Sequence, residues 1–414
     1  MKQSNAVYWI WLSQVLGYNT PKYKRLHETY DDISAFYAGG EREWKLSGIL
    51  RLGEIYDLKG ASFSDAEKLV ERCEKMGYQL LCIDDDRYPE CLRNIYAPPA
   101  VLYIDGNMPD VDNVLTIAVV GTRTASNYGI SNSYKIGYSL SKYGVYTVSG
   151  GALGVDCASH RGTLAAGGVT VCVLGCGINY RYLMENAGMR KAIAKKGAVI
   201  SEYPPDTPPK PYHFPARNRI IAGLSQGVVI IESGKSSGSL ITADFALDMG
   251  RELFALLGNN SPNNAGSNER IKEGTAIPIT DFMDIILAFR DKYDKEELEE
   301  SEDISLADIE EIPVKGKSRK RSRSERSRPQ EYPYTIDDIV DKDNDVTSPP
   351  IHKQDVTVTG DAKKIYEYLT REPVHVDKIS ADLGIPIFKV LSALTLLEVR
   401  RLVKSEPGRY FSVT

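Results

Sequence analysis

Six apolar runs recur between residues 115 and 258: LTIAVVG (115–121), VYTVSGG (145–151), VTVCVLGCG (169–177), AVISEY (198–203), GVVIIES (227–233) and ELFALLG (252–258). They are rich in Val and Ile and do not alternate with polar residues, so each predicts a strand covered on both faces. Segments of helical character fill the gaps, at 129–143, 155–167, 185–196, 217–225 and 238–250. Strands alternating with helices predict a parallel, doubly wound α/β sheet. Residues 78–290 are assigned to that domain.

The flanks differ from this centre. Residues 1–77 read as a small all-helical domain. Val7, Ile10, Trp11, Gln14, Val15 and Leu16 form a mostly apolar stripe, and further helical pieces fall near 22–30, 41–52 and 64–76. Ser64, before Asp65, Ala66 and Glu67, reads as an N-cap. Residues 361–414 show three helical patterns and then RRLVKSEPGRYFSV, a hairpin with a Pro-Gly turn. That is a winged-helix-like outline. Its third helix carries Lys389 as its one base, which favours partner docking over reading of base edges.

The net charge of −5 is unevenly spread. Residues 291–311 hold eleven acids and two bases, 315–328 eight bases and one acid, and 329–360 seven acids and two bases. With few aliphatic residues, 291–360 reads as a charged, disordered linker. Residues 1–290 come out neutral, so any anion site there must arise from local clustering. The six cysteines form no CxxC pair and the five histidines are scattered, so neither a disulfide framework nor a metal site is expected. No apolar run approaches the ~18–20 residues of a membrane span. The opening residues are too polar for a secretory signal, so the expected location is the cytoplasm, away from membrane.

The strongest chemical feature is SGGALGVD at 149–156, between a strand and a helix. Its glycines permit a sharp turn and close approach of a ligand, and a helix N-terminus following them aims N–H groups at an anion. It is not a standard nucleotide motif. No GxGxxG follows the first strand, Val229 stands where a Walker A needs Gly, and no acid ends the second strand to hold a ribose. No dinucleotide cofactor is expected. Arg123, in VGTR at the end of the first strand, should share the crevice with the Ser149 loop. PPKPYHFPARNR at 208–219 interleaves Lys210, Arg217 and Arg219 with Tyr212 and Phe214, a composition suited to single-stranded nucleic acid. Arg217 and Arg219 face different ways on a helix, so one of the two is structural. Ser237-Gly238-Ser239 opens another helix after the fifth strand. Asp156 is the one acid between 113 and 184, and 207–231 has none. A polyanion would find this edge attractive. Catalytic readings are weaker: Asp156 with His160 one helical turn apart, Glu202 and Glu232 at strand ends, and Cys157 with a lowered pKa near a helix N-terminus.

SGGALGVD (149–156), FPARNRIIAGLS (214–225) and SGSLITA (237–243), with VGTR (120–123) and SEYP (201–204), resemble the DNA-processing protein A family, DprA or Smf. The resemblance implies an extended Rossmann-like domain over 78–290, beside a helical domain (SAM- or helix-hairpin-helix-like) at 1–77 and a winged helix at 361–414. It implies a homodimer that binds single-stranded DNA without a cofactor, protects incoming strands in natural transformation and loads the RecA recombinase. Carried onto this sequence, the phosphate pocket comprises Arg123, Ser149, Gly150, Gly151, Lys210, Ser237, Gly238 and Ser239. Phe214 contacts a base, and Arg217 and Asn218 complete the FPxRN motif. Leu183 follows Tyr182 where the family has proline. The alternative is a nucleotide-processing enzyme similar to the phosphoribohydrolases, whose PGGxGT loop is absent here.

Overall fold

The computed structural model describes residues 5–290, 361–370, 373–399, 402–406 and 410–413. The linker expected over 291–360 lies outside them. The chain divides into two compact units, Met1–Arg328 and Pro329–Thr414.

Five helices open the first unit: α1 (Ala6–Leu16), α2 (Lys22–Thr29), α3 (Ile33–Leu46), α4 (Leu52–Gly60) and α5 (Phe63–Lys75). The expected helix over 41–52 is instead split between α3 and α4. Gly40 kinks α3 at φ 60°, a conformation glycine adopts without strain. The cap of α5 is Ser62 rather than Ser64, its hydroxyl accepting the Asp65 N–H at 3.1 Å.

A nine-stranded sheet follows, made of β1 (Gln79–Cys82), β2 (Val101–Gly106), β3 (Thr116–Val120), β4 (Tyr146–Ser149), β5 (Thr170–Leu174), β6 (Ala198–Ser201), β7 (Gly227–Ile230), β8 (Glu252–Leu256) and β9 (Ile277–Ile279). The six apolar runs hold β3 to β8. The order across the sheet is β1-β2-β6-β5-β4-β3-β7-β8-β9. From β6 to β9 all neighbours are parallel. The sheet is not parallel throughout, because β1 and β2 pair antiparallel with each other and β2 antiparallel with β6. Those two strands need no crossover helix, so the strand–helix rhythm does not reveal them. The chain starts at β3, moves outward through β4 to β6, then returns to place β7 on the other side of β3. This reversal is the switch point at which loops diverge and a crevice opens beyond the strand ends.

The helices after α5 are α6 (Glu90–Arg93), α7 (Asn127–Lys142), α8 (Val155–Ala165), α9 (Ala187–Lys196), α10 (His213–Gly223), α11 (Gly238–Asp248), α12 (Ala265–Lys272) and α13 (Phe282–Ala288). Alternate side chains of one strand serve opposite layers. Ile117 and Val119 join the core under α7, α8, α9 and α13. Ala118 and Val120 join the core that takes in α10, α11 and the N-terminal helices, with Trp9, Ile10, Tyr23 and Leu26 packed into it. Helix α10 begins four residues before the expected 217. Pro215 stands in its first turn, where a missing N–H costs no hydrogen bond.

In the second unit, α14 (Asp361–Tyr368), α15 (Val376–Leu383) and α16 (Ile387–Val399) accompany a small sheet of β10 (Val374–His375), β11 (Val403–Glu406) and β12 (Tyr410–Val413), ordered β10-β12-β11. Gly384 ends α15 in the left-handed conformation at φ 65°. Ile365, Val376, Ile379, Val390, Leu394 and Leu397 fill its core, as a winged helix requires.

Candidate nucleic-acid interface

The loops at the carboxyl ends of β3, β4 and β5 and the start of α10 enclose one cleft. Arg123, Gly150, Gly151, Leu174, Gly175, Cys176, Tyr180, Tyr182, Arg190, Phe214 and Arg217 line it, together with Ala152 and Leu183. The lining holds three guanidinium groups, three aromatic rings and no carboxylate. Arg123 lies with its guanidinium carbon 5.3 Å from the centre of the Phe214 ring, a cation–π contact. The Phe214 ring in turn meets Tyr182 at 5.6 Å between centroids.

Glycine is required where the cleft floor is made. A Cβ on Gly150 would lie 2.5 Å from the Arg217 guanidinium. Gly151 adopts φ +66°, and a Cβ there would strike the Cys172 sulfur. Gly154, at φ +76°, would strike the Thr122 carbonyl. The loop amides do not all face a ligand, however. The N–H groups of Gly150 and Ala152 donate to the Asp156 carboxylate at 3.2 and 3.3 Å. The chain's own carboxylate therefore occupies part of the anion position expected for a bound phosphate. Burial pushes the Asp156 carboxyl above its ordinary pKa, and the nearby Arg217 pulls it back.

Arg217 is 5% exposed and donates to the carbonyls of Gly150, at 2.8 Å, and Val173. Burial draws its guanidinium below its ordinary pKa, with the Asp156 charge opposing that shift. Its Nε donates to Asn218 Oδ1 at 3.2 Å, and Asn218 Nδ2 donates to the Gly238 carbonyl at 3.1 Å. This chain fastens α10 to the first turn of α11. Arg219 is the structural one of the pair. Both it and Glu202 are 2% exposed, and they form a two-point ion pair at 2.5 and 3.0 Å.

The structure brings Arg123, Gly150, Gly151, Phe214 and Arg217 together in the cleft. The other expected site residues stand apart from its lining. The fully buried Ser149 donates its hydroxyl proton to Val119 O at 2.6 Å. Lys210 is on the exposed loop before α10, with its Nζ 5.7 Å from the Tyr212 ring centre. Ser237 caps α11, and its hydroxyl lies 2.8 Å from that of Ser239, which lies 2.9 Å from that of Ser233. Gly238 between them is exposed.

The catalytic readings find internal uses for their residues. Glu202 pairs with Arg219, and Glu232 accepts from the Ser126 N–H at 2.9 Å and hydroxyl at 2.5 Å, anchoring α7. His160 does not pair with Asp156; its Nδ1 lies 2.8 Å from Thr170 Oγ1. The Cys157 thiol is not activated. Burial pushes its pKa up to about 11, overriding its position in the first turn of α8.

Sequence reasoning missed Tyr180, Tyr182 and Arg190. Their signal was present as two aromatics and a base in INYRYLMENAGMR; Tyr180 and Tyr182 fall outside every expected strand and helix, and the helical pattern over 185–196 places Arg190 on a helix without showing that it faces the cleft. Arg190 donates to the carbonyls of Tyr182 at 2.9 Å and Leu183 at 3.2 Å. It thereby holds Leu183 at φ 46°, a left-handed conformation that proline, locked near −65°, cannot adopt.

A family model for DNA recombination-mediator protein A matches residues 79–290, and one for the DprA winged helix domain matches 349–409. The chain belongs to the DprA family. It is 32% identical to protein Smf of Synechocystis sp., over 99% of this chain and 98% of that one. It is 34% identical to the DNA processing protein DprA of Streptococcus pneumoniae, over 67% of this chain and 99% of that one. The X-ray structure of DprA from S. pneumoniae superposes with a TM-score of 0.54 at 33% identity, covering 70% of this chain and 98% of that structure. The Rossmann-like reading of the sheet and the winged-helix reading of the C-terminal unit agree with these matches. In this DprA-family chain the cleft sits at the switch point of the family's own domain. Among the described residues, no helix is long and apolar enough to cross a membrane.

Proposed function

We propose that this chain is a single-stranded DNA-binding protein, acting through the cleft bounded by Arg123, Tyr182 and Phe214. The lining of that cleft carries the reading: three arginines and three aromatic rings with no carboxylate. Cations attract phosphates, and exposed bases stack on rings for ~1–3 kcal/mol each. Bases inside a duplex are already stacked and cannot use those faces, so a single strand is preferred. Lys210 and Tyr212, on the loop before α10, extend the same pairing of charge and ring outside the cleft. The internal commitments of Glu202 and Glu232 support a binding role rather than acid–base catalysis. Membership of the DprA family supports the finer reading, in which a cytoplasmic homodimer protects incoming strands and passes them to the RecA recombinase in natural transformation.

The first test is fluorescence anisotropy of a labelled single strand and its duplex against the full chain over a salt series. Tight, salt-sensitive binding that prefers the single strand is expected. Equal binding to both forms refutes the assignment. Lys210→Ala should weaken binding to all sequences and lower the slope of log K against log[salt] by about 0.7, the value for one phosphate contact on a single strand. RecA handover is tested by strand exchange on DNA pre-coated with a single-strand binding protein, where adding the chain should restore RecA activity.

A further inference from the structure

The neutral charge of residues 1–290 conceals a division. Residues 113–200 contain nine bases and two acids, net +7, so the remainder carries −7. One of those acids, Asp156, is buried behind the glycine loop, outside the cleft lining, leaving Glu185 as the exposed one. Lys135, Lys142, Arg181, Lys191, Lys195 and Lys196 are all exposed. Five of these stand on α7 and α9, two of the helices covering one face of the sheet, so the positive charge belongs to a single layer.

Three of these bases continue from the cleft. Arg181 lies between Tyr180 and Tyr182, both in the cleft wall. Lys191 follows Arg190, which also lines the cleft. Lys195 is one turn further along α9, about 6 Å along the axis from Lys191 and on the same exposed stripe. None of the three forms an ion pair among the described residues. Bases in the last turn of a helix complement its dipole, which accounts for Lys195 and Lys196. It does not account for Lys191 in mid-helix or for Arg181 on the loop. Like charges one turn apart weaken a helix, and a bound polyanion relieves that repulsion.

We propose that the outer surface of α9, with Arg181, is a second contact track for the strand held in the cleft. The strand leaves the cleft past Tyr180 and runs over Arg181, Lys191 and Lys195, which meet phosphates without reading bases. This inference rests on the single-strand reading above and adds the direction in which the strand continues.

The test compares (dT)5, short enough to occupy the cleft alone, with (dT)30, binding each to the full chain and to the triple variant Arg181→Ala/Lys191→Ala/Lys195→Ala. For (dT)5 the variant should match the parent chain within about twofold. For (dT)30 the salt slope should fall by about 2, at about 0.7 per lost contact. The parent chain should then lose roughly 20-fold more affinity than the variant between 50 and 200 mM salt. Lys191→Arg/Lys195→Arg should keep the parent slope, because charge alone is required. A variant whose (dT)30 slope equals that of the parent overturns the track while leaving the cleft intact. Equal loss on both lengths also overturns it, since the three bases would then act through the cleft. A parent chain that binds neither oligonucleotide refutes the single-strand reading, and the track with it.

Discussion

Phe214→Ala removes the ring that Arg123 covers and Tyr182 flanks. If a base stacks on that ring, its loss costs ~1–3 kcal/mol of binding. At 1.4 kcal/mol per decade this weakens affinity by roughly 5- to 150-fold. Stacking releases no counterions, so the salt slope should stay that of the parent chain. The two parts separate cleanly in one anisotropy titration repeated at four or five salt concentrations. A double-mutant cycle with Arg123→Ala adds a further check. The Arg123–Phe214 contact couples the two residues by ~0.5–1 kcal/mol if it persists in the complex, and by nothing if the base displaces Arg123. Phe214 is only half-buried, so the variant should unfold within a few degrees of the parent, and melting curves establish that. A slope falling as far as it does in Lys210→Ala would mean that the variant had lost phosphate contacts. That result refutes the assignment of Phe214 to base stacking.

Three further outcomes are expected. Arg219→Ala leaves the Glu202 carboxylate buried and unpaired, which should cost ~3–5 kcal/mol in chemical denaturation, whereas replacing both partners with apolar residues should recover most of it; equal losses in the single and double variants would contradict the structural role of the pair. Gly154→Ala, at φ +76° against the Thr122 carbonyl, should lower both melting temperature and DNA affinity, and an unchanged affinity would show that the glycine loop does not shape the cleft. His160 is held neutral by burial, with its pKa lowered to about 3 from an ordinary 6.5. The folded state resists a proton that the unfolded chain accepts, so the His160 contribution is intact above pH 6.5 and lost as pH falls toward 3, at ~1.4 kcal/mol per unit; a His160→Gln chain with the same loss over that window would remove the histidine from the account.

Much of the fold follows from local pattern. Unbroken Val and Ile runs cannot face water, so β3 to β8 had to be interior strands, and the helices between them made the sheet parallel. Gly384 and Pro386 likewise mark the second and third helices of the winged unit through backbone conformations that few other residues supply. Pattern fails where an element owes its existence to a distant neighbour. β1 is four residues long and exists because β2 lies beside it. Ser62 rather than Ser64 caps α5 because packing, and not the cap residue alone, chooses where the helix begins. The site divides in the same way. Its glycine loop and its FPARN segment are visible in sequence because their chemistry is local. Tyr180, Tyr182 and Arg190 joined it only when the chain folded.

Residue types and spacing alone determined that this chain forms a doubly wound sheet with a basic, aromatic, acid-poor edge. Burial decided how each charged group there is used. Arg217 and Arg219 are two residues apart and chemically identical, yet one lies under the cleft and the other pairs with Glu202. Asp156 looks like an ordinary first-turn acid, yet it takes amides that the sequence offered to a ligand. The cost of leaving a charge unpaired in the interior depends on everything that packs around it. That surrounding belongs to the tertiary structure and not to the run of letters on either side.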